Sequence, residues 1–81
     1  MIKFDYEIKQ RISVVSKKLN GDTLELNLIQ YGKYPAKYDL RRWSGGNMLK
    51  GLTMNKDELA ALKTVLNSYI IYDDIEKTLE A

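Results

Sequence analysis

The segment from Thr23 to Tyr31 alternates between two kinds of side chain, and this period of two restricts the fold more than any other feature of the sequence. Leu24, Leu26 and Leu28 fall on one side of the alternation, whereas the residues between them are mostly polar. Because successive side chains of a strand point to opposite faces, the pattern predicts a β-strand whose leucines face inward.

Three further strands are predicted around this one. The segments 7–16, 36–43 and 48–54 are short and rich in β-branched or alternating residues, and the first has a possible bulge near residues 9–11. The connections contain Asn20-Gly21, Gly32 with Pro35, and Gly45-Gly46, which are typical of turns and loops. The sequence therefore predicts an antiparallel sheet built from consecutive neighbours.

A helix is predicted to follow the fourth strand. Asn55 can cap it, Glu58 stands at the capping-box position, and Met54 can pack on Leu59. An apolar stripe then continues at helical spacing, and the sequence leaves open whether residues 69–80 extend this helix or form a second one. The residues expected to form a dimer interface on this stripe are Leu59, Leu62, Leu66, Tyr69 and Ile70.

Length and composition limit the class of protein. A chain of 81 residues is expected to form one domain, 1–81, and it has no cysteine and no metal-ligand cluster to reinforce a small core. Self-association is therefore expected. No apolar run is long enough to span a bilayer and the N-terminus does not resemble a signal peptide, so we expect a soluble cytoplasmic protein.

Charge is distributed unevenly along the chain. The net charge is +1 over residues 1–30, +4 over residues 31–54 and −3 over the remainder, within a total of +2. Positive potential thus belongs to the predicted sheet and negative potential to the predicted helix. This separation favours a polyanionic partner on the sheet.

The third predicted strand carries the most informative side chains. Lys37, Asp39, Arg41 and Trp43 share one face, which we expect to be exposed to solvent. Cations can neutralise phosphates while an indole ring stacks on a base, so this pattern is typical of a surface for single-stranded nucleic acid. The alternative is that the cations only solvate the sheet and that Trp43 closes the edge of the core.

The segments 37–43, 48–53 and 55–59 together resemble the signature of the transcriptional coactivator positive cofactor four and its bacterial relatives. That signature consists of Asp-Ile-Arg followed by an aromatic residue, a turn, Lys-Gly-Ile-Ser/Thr-Leu, and a capped helix. The resemblance extends over about residues 4–70. It implies an α+β fold in which a four-stranded antiparallel curved sheet precedes a C-terminal helix (β-β-β-β-α), and a homodimer, formed through the helices, whose curved sheets bind single-stranded DNA.

A set of basic and aromatic residues on the sheet forms the predicted nucleic-acid site. Arg41, Lys50 and Gly51 match the signature directly, whereas Tyr34 and Tyr38 are expected to pack within the protein. The full predicted site is Arg11, Lys17, Lys18, Tyr31, Lys33, Lys37, Arg41, Trp43, Lys50 and Gly51.

Catalysis is not expected. Histidine and cysteine, which commonly act as a base or a nucleophile, are both missing from the sequence. Asp57-Glu58 and Asp73-Asp74 are better explained as helix-start acids, and no phosphate-binding loop motif occurs. We expect no cofactor and no metal. Two functions remain open. The first is a homodimer that binds single-stranded DNA, or RNA, with little dependence on sequence, in transcription, replication or repair. The second is a protein-interaction module whose basic sheet face docks an acidic partner.

Overall fold

The computed structural model describes residues 5–69, which form a four-stranded antiparallel sheet followed by one helix. The strands lie in chain order, and the β-β-β-β-α prediction is confirmed. The second strand has the predicted bounds, and the other strand ends differ from the prediction by one residue at most. The elements are β1 (Tyr6–Lys17), β2 (Thr23–Tyr31), β3 (Lys37–Ser44), β4 (Asn47–Met54) and α1 (Lys56–Ser68). Among residues 5–69, no helix has the length and apolar character needed to cross a membrane.

Glycines make the tight turns between neighbouring strands. Gly21 has a φ of 93° in the β1–β2 turn, where the backbone N–H of Asp22 also donates to the side chain of Asn20. Gly45 and Gly46 have φ angles of 56° and 82° between β3 and β4. Residues with a Cβ seldom adopt these backbone angles, so the glycines determine where the chain reverses direction between strands.

The sheet is strongly curled. Tyr6 pairs with Tyr31 at one end of β2, and Trp43 pairs with Thr23 at the other end. The two ends of a flat strand of this length would lie about 26 Å apart. Nevertheless, the ring centroids of Tyr6 and Trp43 are only 6.2 Å apart. The sheet must therefore roll over the face that carries both rings, which we name the inner face.

Register shifts provide the curvature. Strand β1 shifts against β2 between Ile8 and Gln10, between Arg11 and Ser13, and between Val14 and Ser16. The bulge predicted near residues 9–11 is thus one of three irregularities in this strand. Each bulge adds a residue to one strand and bends it, which lets a long edge strand wrap around its neighbour.

Most of the buried residues lie on the inner face, opposite to the expectation from sequence, whereas the buried Met54 lies on the other face of the sheet. Ile29, Asn27, Asp39 and Trp43 are buried on the inner face, with Asp39 at 0% and Trp43 at 7% exposure. The prediction that the Asp39–Trp43 side of β3 faces solvent is therefore wrong for Asp39 and Trp43, because the curl buries them, whereas Lys37 on the same face stays exposed. The three leucines of β2 do share the other, outer face, but they are only half-buried because α1 covers it incompletely.

Helix α1 begins with the predicted capping box. The backbone N–H of Glu58 donates to the Asn55 side chain at 2.8 Å, and the Glu58 carboxylate accepts from the Asn55 backbone N–H at 2.9 Å. The helix ends at Ser68, and Tyr69 has an extended backbone with φ −91° and ψ 133°. Ile70, the last residue of the predicted dimer interface, and the apolar residues after it lie outside the described residues.

Candidate nucleic-acid-binding face

The centre of the inner face is a buried carboxylate that holds two other side chains. Asp39 accepts hydrogen bonds from the Tyr31 hydroxyl at 2.6 Å, from Arg41 Nε at 2.6 Å and from Arg41 Nη2 at 2.7 Å. The Nη1 group of Arg41 donates to the backbone carbonyl of Leu49 at 3.1 Å. The guanidinium is thus fixed by β3 and β4 together, and the Arg41 side chain is only 15% exposed.

This cluster changes the acidity of its members. Burial, followed by the hydrogen bond to Asp39, raises the pKa of the Tyr31 hydroxyl to about 12. The hydrogen bond to Asp39 raises the pKa of the Arg41 guanidinium above its ordinary value, against the opposing effect of burial. Tyr31 is consequently a neutral donor and Arg41 a permanent cation across the physiological pH range.

A second acid on the inner face is also compensated. The Glu25 carboxylate accepts hydrogen bonds from Thr23 Oγ1 and from Asn27 Nδ2, and Arg11 Nη1 lies 3.6 Å from Glu25 Oε1. Arg11 is nevertheless well exposed, because it extends from the edge strand β1. Both acids of this face therefore have partners within the protein.

Several predicted cations remain unpaired. Lys17 and Lys37 are exposed and stand opposite the inner-face residues Thr23 and Ile29 in the strand register. Lys50 is exposed on β4. In the described chain none of these three makes an ion pair, and the same holds for Lys18 and Lys33 in the connecting loops. The structure thus gathers Lys17, Lys37 and Arg11 on one face and leaves Lys18 and Lys33 at its ends.

The aromatic residues are arranged differently from the prediction. Trp43 is a core residue, and its Nε1 group is buried with no hydrogen-bond partner among the described residues. Tyr6, which the sequence analysis did not select, lies between Trp43 and Tyr31, with centroid distances of 6.2 and 6.3 Å. Tyr6 is 40% exposed, so it is Tyr6 that offers an accessible ring here. Tyr34, expected to pack, is 74% exposed.

Gly51 has a steric role that the sequence did not reveal. It pairs with Arg41 across the β3–β4 ladder. A Cβ at Gly51 would lie 2.0 Å from Arg41 Cβ and 2.7 Å from the Leu40 carbonyl oxygen. Any other residue would push the strands apart at the position where Arg41 is clamped.

A cavity opens beside Arg41, and we name it the Arg41 cavity. It has a volume of about 440 Å³ and is lined by Tyr31, Arg41, Met48, Leu49 and Thr53. Met48, Leu49 and Thr53 were not predicted as site residues, because apolar and small polar side chains on a strand normally indicate packing.

The outer face carries a different kind of surface, the leucine groove. It has a volume of about 520 Å³ and lies between the sheet and α1. Its walls are almost entirely apolar, and Leu66, one of the predicted interface residues, is 59% exposed. The groove is lined by Val15, Leu24, Leu26, Leu40, Met54, Leu59, Leu62, Lys63, Leu66 and Asn67. The sheet therefore separates a polar, basic face from an apolar one.

Comparison with known proteins found a related protein whose description gives no function. No protein-family model matches the chain. A protein of Treponema pallidum (strain Nichols), described as an uncharacterized protein, is 40% identical over 67 residues, which cover 80% of this chain and 79% of the relative. At this identity and coverage, the chain belongs to the same family as the Treponema protein.

Proposed function

We propose that the protein is a homodimer that binds single-stranded DNA on the inner face of its sheet, in transcription, replication or repair. One observation carries the proposal. Both acids of the inner face are compensated within the protein, whereas Lys17 and Lys37 on the same face are exposed and unpaired in the described chain. Such a face has an excess of positive charge available for phosphates.

Aromatic surface beside this charge favours an unpaired strand over a duplex. The Tyr6 ring is accessible next to Tyr31 and Trp43, and a base of single-stranded DNA can stack on such a ring. In duplex DNA the base faces are stacked on one another. The resemblance of residues 37–59 to the positive cofactor four signature supports the same interpretation.

The dimer proposal follows from α1. None of its residues is buried in the single chain, although helices in proteins depend mainly on tertiary packing for stability. Leu62, Val65 and Leu66 are exposed beside the leucine groove. Contiguous apolar surface of this kind marks an interaction site, and a second copy offers a matching helix.

Fluorescence anisotropy with end-labelled DNA tests the binding proposal. Single strands should bind more tightly than duplexes of equal length and composition. If four to six phosphates are neutralised, the logarithm of affinity should fall against the logarithm of salt concentration with a slope of about −3 to −4. Equal binding of both forms, or no dependence on salt, would instead favour a module that docks an acidic protein.

Lys37→Ala provides the matched variant. Lys37 is exposed on the inner face and has no ion pair in the described chain, so its removal should leave the fold intact. The slope should become less steep by about 0.7. Glu7→Ala on β1, which removes an exposed partner of Lys9, is the control and should not weaken binding.

A further inference from the structure

The guanidinium of Arg41 has donors that no residue of the described range 5–69 uses. A guanidinium has five N–H groups, and Arg41 uses three of them, two to Asp39 and one to Leu49. One N–H therefore remains on each of the two terminal nitrogens. Because three bonds already hold the group, its orientation is fixed before any ligand binds.

The charge of Arg41 is compensated at short range. Its Nε lies 2.6 Å from an oxygen of Asp39, which is fully buried, so the pair has no net charge. Such a pair attracts a phosphate far less than the free lysines of the same face do. Arg41 can therefore contribute directed hydrogen bonds to a ligand, but it neutralises little of the charge of the DNA backbone.

The surroundings of Arg41 suit a flat, partly apolar ligand. The Arg41 cavity has walls from Tyr31, Met48 and Leu49, and its volume of about 440 Å³ falls within the range of small-ligand sites. The cavity combines an aromatic ring, two apolar side chains and the side chain of Arg41, whose guanidinium is held in place by Asp39 and Leu49. A nucleobase has the corresponding features, because it has an apolar face and acceptors along one edge.

We propose that the Arg41 cavity takes one unstacked base of the bound strand and that Arg41, held by Asp39, reads its acceptor edge with a preference for guanine. Guanine presents O6 and N7 as adjacent acceptors, and a guanidinium with two donors matches them better than it matches any other base. This inference rests on the proposed function. Asp39 acts here as a positioning residue.

The test compares three single strands on the unmodified protein. One consists of thymine alone, the second has a single central guanine, and the third has 7-deazaguanine at that position, which lacks only the N7 acceptor. The guanine strand should bind about fivefold or more tightly than the other two. Equal affinity for all three overturns the base reading and leaves the proposed function intact, whereas binding to none of them overturns both.

Arg41→Lys is the matched variant. Lysine keeps a cation for Asp39, so the buried carboxylate stays paired and the domain should fold, but the two-donor fork is lost. The preference for guanine should disappear while the affinity for the thymine strand and its salt slope persist. Lys37→Ala should do the opposite, with weaker binding and an unchanged preference. If Arg41→Lys retains the preference, Arg41 does not read the base.

Discussion

Asp39 is the residue on which the inner face depends. It is fully buried, yet it is charged, and such a group is stable in a protein only when it is paired and hydrogen-bonded. Three donors from Tyr31 and Arg41 meet this requirement. The carboxylate therefore organises the same side chains that border the Arg41 cavity.

Part of this cluster could be predicted from sequence and part could not. Asp39 and Arg41 are two residues apart on a strand, so their shared face and opposite charges already indicate a pair. Their burial could not be predicted, because it comes with the curl of the sheet, which brings the distant Tyr6 within 6.2 Å of Trp43.

Trp43→Ala tests the position of the core. Trp43 is 7% exposed, so the variant should lose about 3–5 kcal/mol of unfolding free energy through lost burial and a cavity. Urea denaturation followed by circular dichroism measures this loss. Tyr34→Ala, which removes a ring that is 74% exposed, should change the free energy by less than about 0.5 kcal/mol. A Trp43 variant as stable as the Tyr34 variant would place the indole outside the core.

At the scale of elements, local sequence predicts strands, turns and the helix start well. The Asn55–Glu58 capping box and the turns at Gly21 and Gly45 need only neighbouring residues, and the structure confirms them. Local sequence could not predict which face of the sheet is buried. That depends on the curl of the sheet, and the three register shifts that bend β1 appear only when β1 is paired with β2.

Gly51→Ala tests the close approach of β3 and β4. The new methyl group would lie 2.0 Å from Arg41 Cβ, so the strands must separate, and overpacking of this kind costs about 1–3 kcal/mol. The midpoint of urea unfolding should fall accordingly. Lys50→Ala, a change at the exposed neighbouring position, should leave the midpoint nearly unchanged. If both variants unfold at the same urea concentration, the strands tolerate a Cβ at position 51 and Gly51 has no steric role.

At the scale of the whole molecule, the two faces of the sheet differ in chemical character. The inner face carries the fixed polar cluster and the lysines that make no ion pair within residues 5–69. The outer face carries the leucine groove and α1, none of whose residues is buried. This division explains why a domain with so few buried apolar residues among those described is expected to pair with a second copy.

Leu66→Asp tests the dimer. Leu66 lines the leucine groove and is 59% exposed in the single chain, so an aspartate there is tolerated by a monomer but would be buried at a dimer interface. Sedimentation equilibrium should give about twice the chain mass of 9.4 kDa for the original protein, and less for the variant. Ala61→Asp, on the opposite side of α1, is the matched control and should remain dimeric. An original protein that sediments at 9.4 kDa at micromolar concentration contradicts the dimer.

The most direct test of the account is a titration of the protein with single-stranded DNA, followed residue by residue through backbone amide signals in NMR. Signals from the inner face, such as those of Tyr31, Lys37 and Arg41, should shift in proportion to the bound fraction. Signals from the α1 side of the leucine groove, such as those of Leu62 and Leu66, should not shift. Shifts confined to the groove, or no shift on the inner face at saturating DNA, would contradict the assignment of DNA binding to the inner face.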